Sequence, residues 1–464
     1  MRILFWFRAD LRLEDNTGLH EADRDARGDV VPFVLDEEGD ARDRAPARVR
    51  FELESRDDLA RAVGRAGSRL ALGRGPAPEA LVRAARRAGA DAVYWNDLHE
   101  PALERRDDRV ERALRGTGVG VRRFHDRLLV PPGAVLTRAG TPFVVYTPFR
   151  RACEALPPAP PLPAVRRLAP HRLPGVRVAG EGRPAPAESP WPGGAAAARA
   201  RLARFVRHGL ARYHERRDVP AAEATSRLSA DLAAGTLSPR TLVAAVREAA
   251  ADDPALRAPA GKLESELRWR DFYAHVLHHF PHCERGPFLR RYEGLAWRGD
   301  PAHLAAWRAG RTGVPLVDAG MRELAATGFM HNRLRMVVAS FLAKDLLLDW
   351  RLGERHFARH LVDFDLASNN GGWQWAASTG TDAQPYFRVF NPVLQGMRHD
   401  PDGAYVRRWV PELARVPARW IHRPWEAPAR VLAGAGVRLG RDYPERLVDH
   451  EEQREKALAM YREA

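Results

Sequence analysis

Cysteine and lysine are scarce in this chain of 464 residues, which holds two cysteines, Cys153 and Cys283, and three lysines, Lys262, Lys344 and Lys456. Two thiols make neither a disulfide framework nor a thiolate zinc site, and so few of them suit a reducing compartment, so a cytoplasmic location is expected. Long apolar runs are also missing. The stretch nearest a spanning length, Met336 to Trp350, is broken by Lys344 and Asp345, and the N-terminal ILFWF is short and flanked by arginine. Neither a membrane span nor a signal peptide is expected. No GxGxxG follows the first strand-like segment, LGRG being a poor substitute, and no P-loop, EF-hand loop or Ser-His-Asp signature occurs. A dinucleotide site of the usual kind is thereby unsupported.

What is abundant is arginine. Basic residues number 74 against 60 acidic ones, a formal net charge of +14. Such a surface attracts polyanions through counterion release, which points to nucleic acid, although a genome of biased base composition would also load a chain with arginine and alanine. With 45% hydrophobic residues the chain can bury ample core, and its length suits two or three domains.

The first part alternates short apolar segments, ILFWF, VVPFVLD, RLAL, DAVYW and VGVRRF, with helical stretches such as Arg48 to Ala66 and Pro78 to Ala88. That order predicts an α/β domain whose parallel sheet is covered on both faces. From Leu156 to Gly194 proline dominates, in LPPAPPLP and ESPWPGG, which reads as a long connection laid over the surface. Beyond Gly194 the pattern is helical: in LSPRTLVAAVREAA, Ser238 can cap, Pro239 fits a first turn, and apolar residues recur at helical spacing. The expected domains are 1–130, a connection over 131–194, and a helical domain over 195–464.

Several constellations in the helical part could carry chemistry. SNNGGWQWAASTG, Ser368 to Gly380, has no charge and carries Trp373 and Trp375 two apart. If they open a helix after a flexible NNGG turn, they face different ways, one toward an inner cofactor and one toward a cavity. In ELRWRDF, Glu266 and Trp269 share a helix face and could stack and hydrogen-bond a base; an ordinary amphipathic boundary would look the same. MHNRLRM gathers Asn332, Arg333, Arg335 and Met336 ahead of an apolar run, and arginines there need carboxylate partners, for which Asp363 and Asp365 of DFDLASNN are the natural candidates. TSRLS, Thr225 to Ser229, sets three hydroxyls and a guanidinium in five residues, suited to phosphate and equally to a solvated turn. His275, His278, His279 and His282 have helical spacing but no paired carboxylates or cysteines beside them, so no zinc site is expected.

Taken in order, LFWFRADLRLEDN, VYTPFRR, TSRLS, GFMHNRLRM, NNGGWQWAASTGTDAQPYFRVFNP and WVPEL closely resemble the DNA photolyase and cryptochrome family, most of all the bacterial class I cyclobutane pyrimidine dimer photolyases. The resemblance covers nearly the whole chain. It implies a Rossmann-like antenna domain, a long linker and an all-helical FAD-binding domain. By the same resemblance Tyr213 and the run Thr225, Ser226, Arg227, Leu228 and Ser229 lie at FAD and receive its phosphates, Arg335 and Asp363 bracket the ring system, and Asp365 and Asn369 hydrogen-bond its polar edge. Asn369, a neutral amide with no proton to give, suits a reduced, anionic flavin. Trp373, Trp350 and Trp297 match the family's electron relay.

The activity this resemblance implies is light-driven repair of cyclobutane pyrimidine dimers in DNA, flipped out of the duplex. Trp269 and Trp375 would stack on the dimer, Glu266 and Asn332 would bind its polar edges, and Arg333 and Met336 would complete the pocket. Relatives that repair the (6-4) lesion carry histidines at Asn332 and Met336. Positions where folate-binding relatives carry an Asn-Glu pair hold Ala102 and Leu103, and Glu284 replaces a basic residue, so folate is not expected; a deazaflavin, a second flavin or no second chromophore stay open, with the deazaflavin preferred. A monomer is expected. The alternative is a cryptochrome-like blue-light photoreceptor with the same flavin site.

Overall fold

The computed structural model describes residues 1–37, 44–176, 190–382 and 388–464. They form two compact units. The first comprises Met1–His214, Ser226–Pro281 and Val362–Ala367, and the second comprises Glu215–Thr225, His282–Leu361 and Ser368–Ala464.

The first unit is built on a five-stranded parallel sheet of β1 (Ile3–Trp6), β2 (Val30–Asp36), β3 (Ala71–Arg74), β4 (Ala92–Asn96) and β5 (Gly120–Phe124), ordered β3-β2-β1-β4-β5. Ile3 pairs with Val30 on one side and Ala92 on the other, so β1 is central and wholly buried. The expected RLAL strand begins two residues later, at Ala71. Pro32 is tolerated inside β2 because pairing with β3 begins only at Phe33↔Ala71, so its missing N–H costs no bond there. One face packs on the helix Ala77–Ala88 through Ala80, Leu81, Ala84 and Ala85, and the other on the helix Thr17–Ala26 through Leu19 and Ala22.

Of the proline-rich connection, residues 177–189 lie outside the described residues. Before them Val165, Leu168 and Leu173 reach down into the core of the sheet. Ser238 caps the helix Pro239–Asp252 as expected, its Oγ accepting from Arg240 N at 3.1 Å, and Leu242, Val243 and Val246 are buried.

FRADLRLEDN is largely structural. Arg12 and Arg240 both hold the buried Asp126 carboxylate, and Arg240 also reaches Asp15 at 2.8 Å. Burial alone would raise Asp126, but the two guanidiniums outweigh it and hold the carboxyl at about 2.

The second unit is helical. Pro315–Thr327 packs on Asn332–Ser340 and Ala404–Trp409, and the C-terminal helix His450–Arg462 packs on the turn Phe341–Asp345. The apolar run after MHNRLRM thus continues the helix Asn332–Ser340 into one wider π-helical turn, buried throughout. No helix among the described residues is long and apolar enough to cross a membrane.

Candidate active site

In the first unit Glu266 and Trp269 stand on one face of the helix Arg257–His279. Lys262, one turn earlier, holds Glu266 with Nζ 3.0 Å from Oε1. Trp269 lies flat on Tyr146, with ring centroids 3.6 Å apart and planes 10° apart, and Phe272 meets its edge. The Tyr146 hydroxyl donates to the Ser265 carbonyl at 2.7 Å. Burial pushes its phenol up to about 12, so it remains a donor over the working range. A half-exposed indole is therefore fixed in one plane instead of rotating freely. Nothing in VYTPFRR gives Tyr146 a role; only the fold brings it beneath Trp269.

Asp365 meets two arginines outside MHNRLRM. Its carboxylate lies 2.9 Å from Arg127 and 3.6 Å from Arg270, both in the first unit. Arg270 is desolvated and spends further donors on the carbonyls of Arg127, at 2.6 Å, and Leu232, at 3.2 Å. Two guanidiniums sheltered from water need a carboxylate, and Asp365 supplies it. Asp363 is buried nearby in sequence.

Tyr213 is buried edge-on to Phe205 at 5.7 Å, in the same apolar cluster as Leu228. Leu228 can therefore offer a ligand only its backbone. Ser226 Oγ accepts from Leu228 N at 3.4 Å, Arg227 takes a left-handed φ of 53° with its guanidinium over Trp191, and Ser229 opens the helix Ser229–Ala234 exposed. Thr225, half-buried, belongs to the second unit.

In the second unit His331 caps the helix Asn332–Ser340, Nδ1 accepting from Arg333 N at 3.1 Å. Asn332 is exposed and Met336 half-buried. Arg333 meets Asp218 at 3.0 Å, a carboxylate other than the two expected from the sequence. Burial works against that carboxylate, yet Arg333 holds it below its usual range. Arg335 donates Nε to the Met330 carbonyl at 2.8 Å and lies over Phe329.

NNGG is not a turn. It lies within the helix Leu366–Ala376. Glycine costs about 1 kcal/mol in such a position, and hydrogen bonds of the segment itself oppose that cost. Gln374 Nε2 donates to Asn370 Oδ1 at 2.8 Å and to the carbonyls of Gly286 and Cys283, while Gln374 Oε1 accepts from Phe288 N at 2.7 Å. Asn370 and Gln374 are thus structural, and Asn369 has the different task. Its Nδ2 donates to the Glu354 carbonyl at 3.2 Å and to Glu354 Oε1 at 2.8 Å.

Trp373 is buried and meets Phe357 and Trp307 edge-on, at 5.1 and 6.1 Å. A Cβ on Gly353 would come within 2.1 Å of its ring, so only glycine leaves room for the indole. Trp375 is half-exposed, tilted against Phe390 at 6.2 Å. The two indoles thus sit in different surroundings, as their spacing requires. Trp350 begins the helix Trp350–His360, buried, and Trp297 meets Tyr461 edge-on at 6.4 Å. No ring contact among the described residues joins Trp373 to Trp350 or Trp350 to Trp297. Residues 383–387 of the GTDAQPYF segment lie outside the described residues.

The second unit offers two polar groups that suit a ring with its own donors and acceptors. The buried Trp373 Nε1 has no hydrogen-bond partner among the described residues. With both Asn369 contacts made by Nδ2, the amide oxygen remains as an acceptor of fixed orientation. A planar heterocycle with N–H donors and ring acceptors fits that set. Hydroxyls and an arginine in TSRLS fit phosphate. The residues present are compatible with FAD.

A family model described as DNA photolyase matches residues 3–166, and one described as the FAD binding domain of DNA photolyase matches residues 263–463. A deoxyribodipyrimidine photo-lyase from Agrobacterium fabrum is 41% identical, with 99% of this chain and 97% of that protein covered. A bacterial class III photolyase from Agrobacterium tumefaciens superimposes with a TM-score of 0.93 at 39% identity, over 100% of this chain and 97% of that one. A cryptochrome from Synechocystis sp. PCC6803 gives 0.91 at 31% identity, over 99% of both chains.

Proposed function

The chain belongs to the DNA photolyase family, and from that premise we propose that it repairs cyclobutane pyrimidine dimers in DNA with light, as a cytoplasmic monomer. It is an enzyme of the photo-lyase kind, a DNA-repair protein with an FAD-binding domain. The observation that carries the finer reading is its full-length likeness to a deoxyribodipyrimidine photo-lyase.

A dimer stacks and pairs poorly, so extruding it costs less than extruding a sound base. Trp269, held flat by Tyr146, and Trp375, backed by Phe390, would meet its apolar faces. Glu266, oriented by Lys262, and Asn332 would bind its polar edges, with Arg333 and Met336 beside them. Arginines around the cavity would hold the flanking phosphates.

Bound FAD would supply, on excitation, the single electron that ring opening needs and that no side chain provides. Thr225, Ser226, Arg227, the Leu228 backbone and Ser229 would hold its phosphates, near Tyr213. Arg335 and Asp363 would bracket its ring system, and Asp365 would meet its polar edge. Asn369, with its nitrogen held by Glu354, would present its oxygen as an acceptor without offering an acidic proton, which suits reduced, anionic FAD. Trp297, Trp350 and Trp373 would pass electrons inward from solvent. A deazaflavin is our choice of second chromophore, on Ala102, Leu103 and Glu284.

The test is lesion-specific. Protein with FAD reduced is illuminated with oligonucleotides carrying either a cyclobutane dimer or a (6-4) product. Loss of the cyclobutane dimer alone is expected; loss of the (6-4) product instead would refute the assignment of Asn332 and Met336. The likeness to a cryptochrome favours one other reading, a blue-light photoreceptor, which predicts a light-induced spectral change with both lesions intact.

A further inference from the structure

Lys344 is buried in the π-helical turn Phe341–Asp345, and the substrate roles above make no use of it. Its Nζ donates to Ser378 Oγ at 2.7 Å and to the Arg388 carbonyl at 2.6 Å. Asp345, its neighbour in sequence and the obvious counter-ion, is turned to His450, Nδ1 to Oδ1 at 2.5 Å. A buried ammonium is costly, and each hydrogen bond it makes offsets part of that cost.

The two acceptors explain why that arrangement matters. Ser378 follows the helix Leu366–Ala376 by two residues with a left-handed φ of 57°, and its backbone N–H donates to the Trp375 carbonyl at 3.1 Å. Arg388 lies two residues before Phe390, whose ring packs on Trp375. Phe390 N in turn donates to Ser340 Oγ at 3.3 Å, and Ser340 stands four residues before Lys344. One buried stretch, Ser340 to Lys344, therefore holds Trp375 from two sides, through its backbone by way of Ser378 and through its ring by way of Phe390.

We propose that Lys344 is a positioning residue for the lesion cavity, its ammonium tying Ser378 to the backbone of Arg388 so that Trp375 and Phe390 keep one geometry. The inference rests on the reading that Trp375 lines that cavity. Burial pushes Lys344 down to about 7, against the opposing pull of Asp345. The other groups acting there are His450 and Glu451 of the C-terminal helix, both through Asp345, while Arg388 meets Lys344 through its carbonyl. The clasp is charged below that value and weakens as pH rises through it.

The experiment measures affinity of the full-length, FAD-loaded protein for a thymine-dimer duplex and for the undamaged duplex, as a ratio, across neutral pH. In the parent the ratio is expected to fall severalfold as pH rises from about 6 to about 8. Lys344→Met should lower it about tenfold at the acid end and remove the pH step, with FAD content and undamaged-duplex affinity unchanged. Ser378→Ala, which deletes one acceptor and leaves the charge, should lower the ratio less and keep the step. A Lys344→Met protein with the parental ratio and step overturns the proposal, as does equal loss for both duplexes. If Lys344→Met loses FAD, Ser378→Ala decides, and a parental ratio in it overturns the proposal. A parent with no dimer preference at any pH would overturn the functional reading, and the proposal with it.

Discussion

The side-chain nitrogen of Asn369 is held twice by Glu354, by its backbone carbonyl at 3.2 Å and by its carboxylate at 2.8 Å. The amide cannot rotate without losing a charge-assisted bond, so the face offered by its oxygen is set by a residue one helix away. Asn369→Asp should therefore change the flavin spectrum during photoreduction, and Glu354→Ala should change it in the same direction to a smaller degree. Parental spectra in both variants would remove Asn369 from the flavin.

Gly353 fixes the seat of Trp373. Gly353→Ala places a methyl where the indole ring stands, at 2.1 Å, and should cost about 1–3 kcal/mol, read as a lower midpoint of thermal unfolding. It should also slow photoreduction, as Trp373→Phe should with much less loss of stability. Separating the two effects distinguishes a packing fault from loss of the relay.

Trp269→Ala should weaken binding of dimer-containing DNA by about ten- to a hundredfold, the worth of one base stacked on an aromatic ring, with little change for undamaged duplex. Tyr146→Phe keeps the stack but loses the bond to Ser265. Its effect should be about two- to tenfold, in the same direction, about 0.5–1.5 kcal/mol. Titrations with both duplexes check both values.

Asp126 makes the first unit acid-sensitive in a defined window. Its folded value of about 2 lies below the ordinary carboxylate value of 3.8, so its contribution is fully present above pH 3.8 and is lost as pH falls through 2. Asp126→Asn, which leaves Arg12 and Arg240 without their shared carboxylate, should destabilise by about 3–5 kcal/mol at neutral pH. The gap between variant and parent in denaturant unfolding should narrow by about 2 kcal/mol as pH falls from 3.8 to below 2.

The sheet was legible because VVPFVLD and DAVYW are apolar runs too short for helices, and the cap at Ser238 because its side chain acts on its own neighbours. Sequence spacing shows which residues share a face and cannot show which distant group meets them. Asp365 and Arg127 are 238 residues apart, so nothing local in the sequence marks them as partners. NNGG misled for a related reason: its weak helix propensity is real, but Gln374 and Asn370 bind each other and the 283–288 loop. In the sequence Lys344 only breaks an apolar run, and the fold alone shows it buried and bonded to Ser378 and Arg388.

On the proposed function, light absorbed by reduced FAD in this protein opens a cyclobutane dimer lodged against Trp269. This is tested most directly by counting thymine dimers in excess DNA after blue or near-ultraviolet illumination of the reduced protein, with dark and Trp269→Ala samples alongside. Several dimers lost per protein are expected in the light, none in the dark and far fewer with Trp269→Ala at limiting DNA. Dimer counts unchanged by light, with FAD verified as bound and reduced, would contradict it.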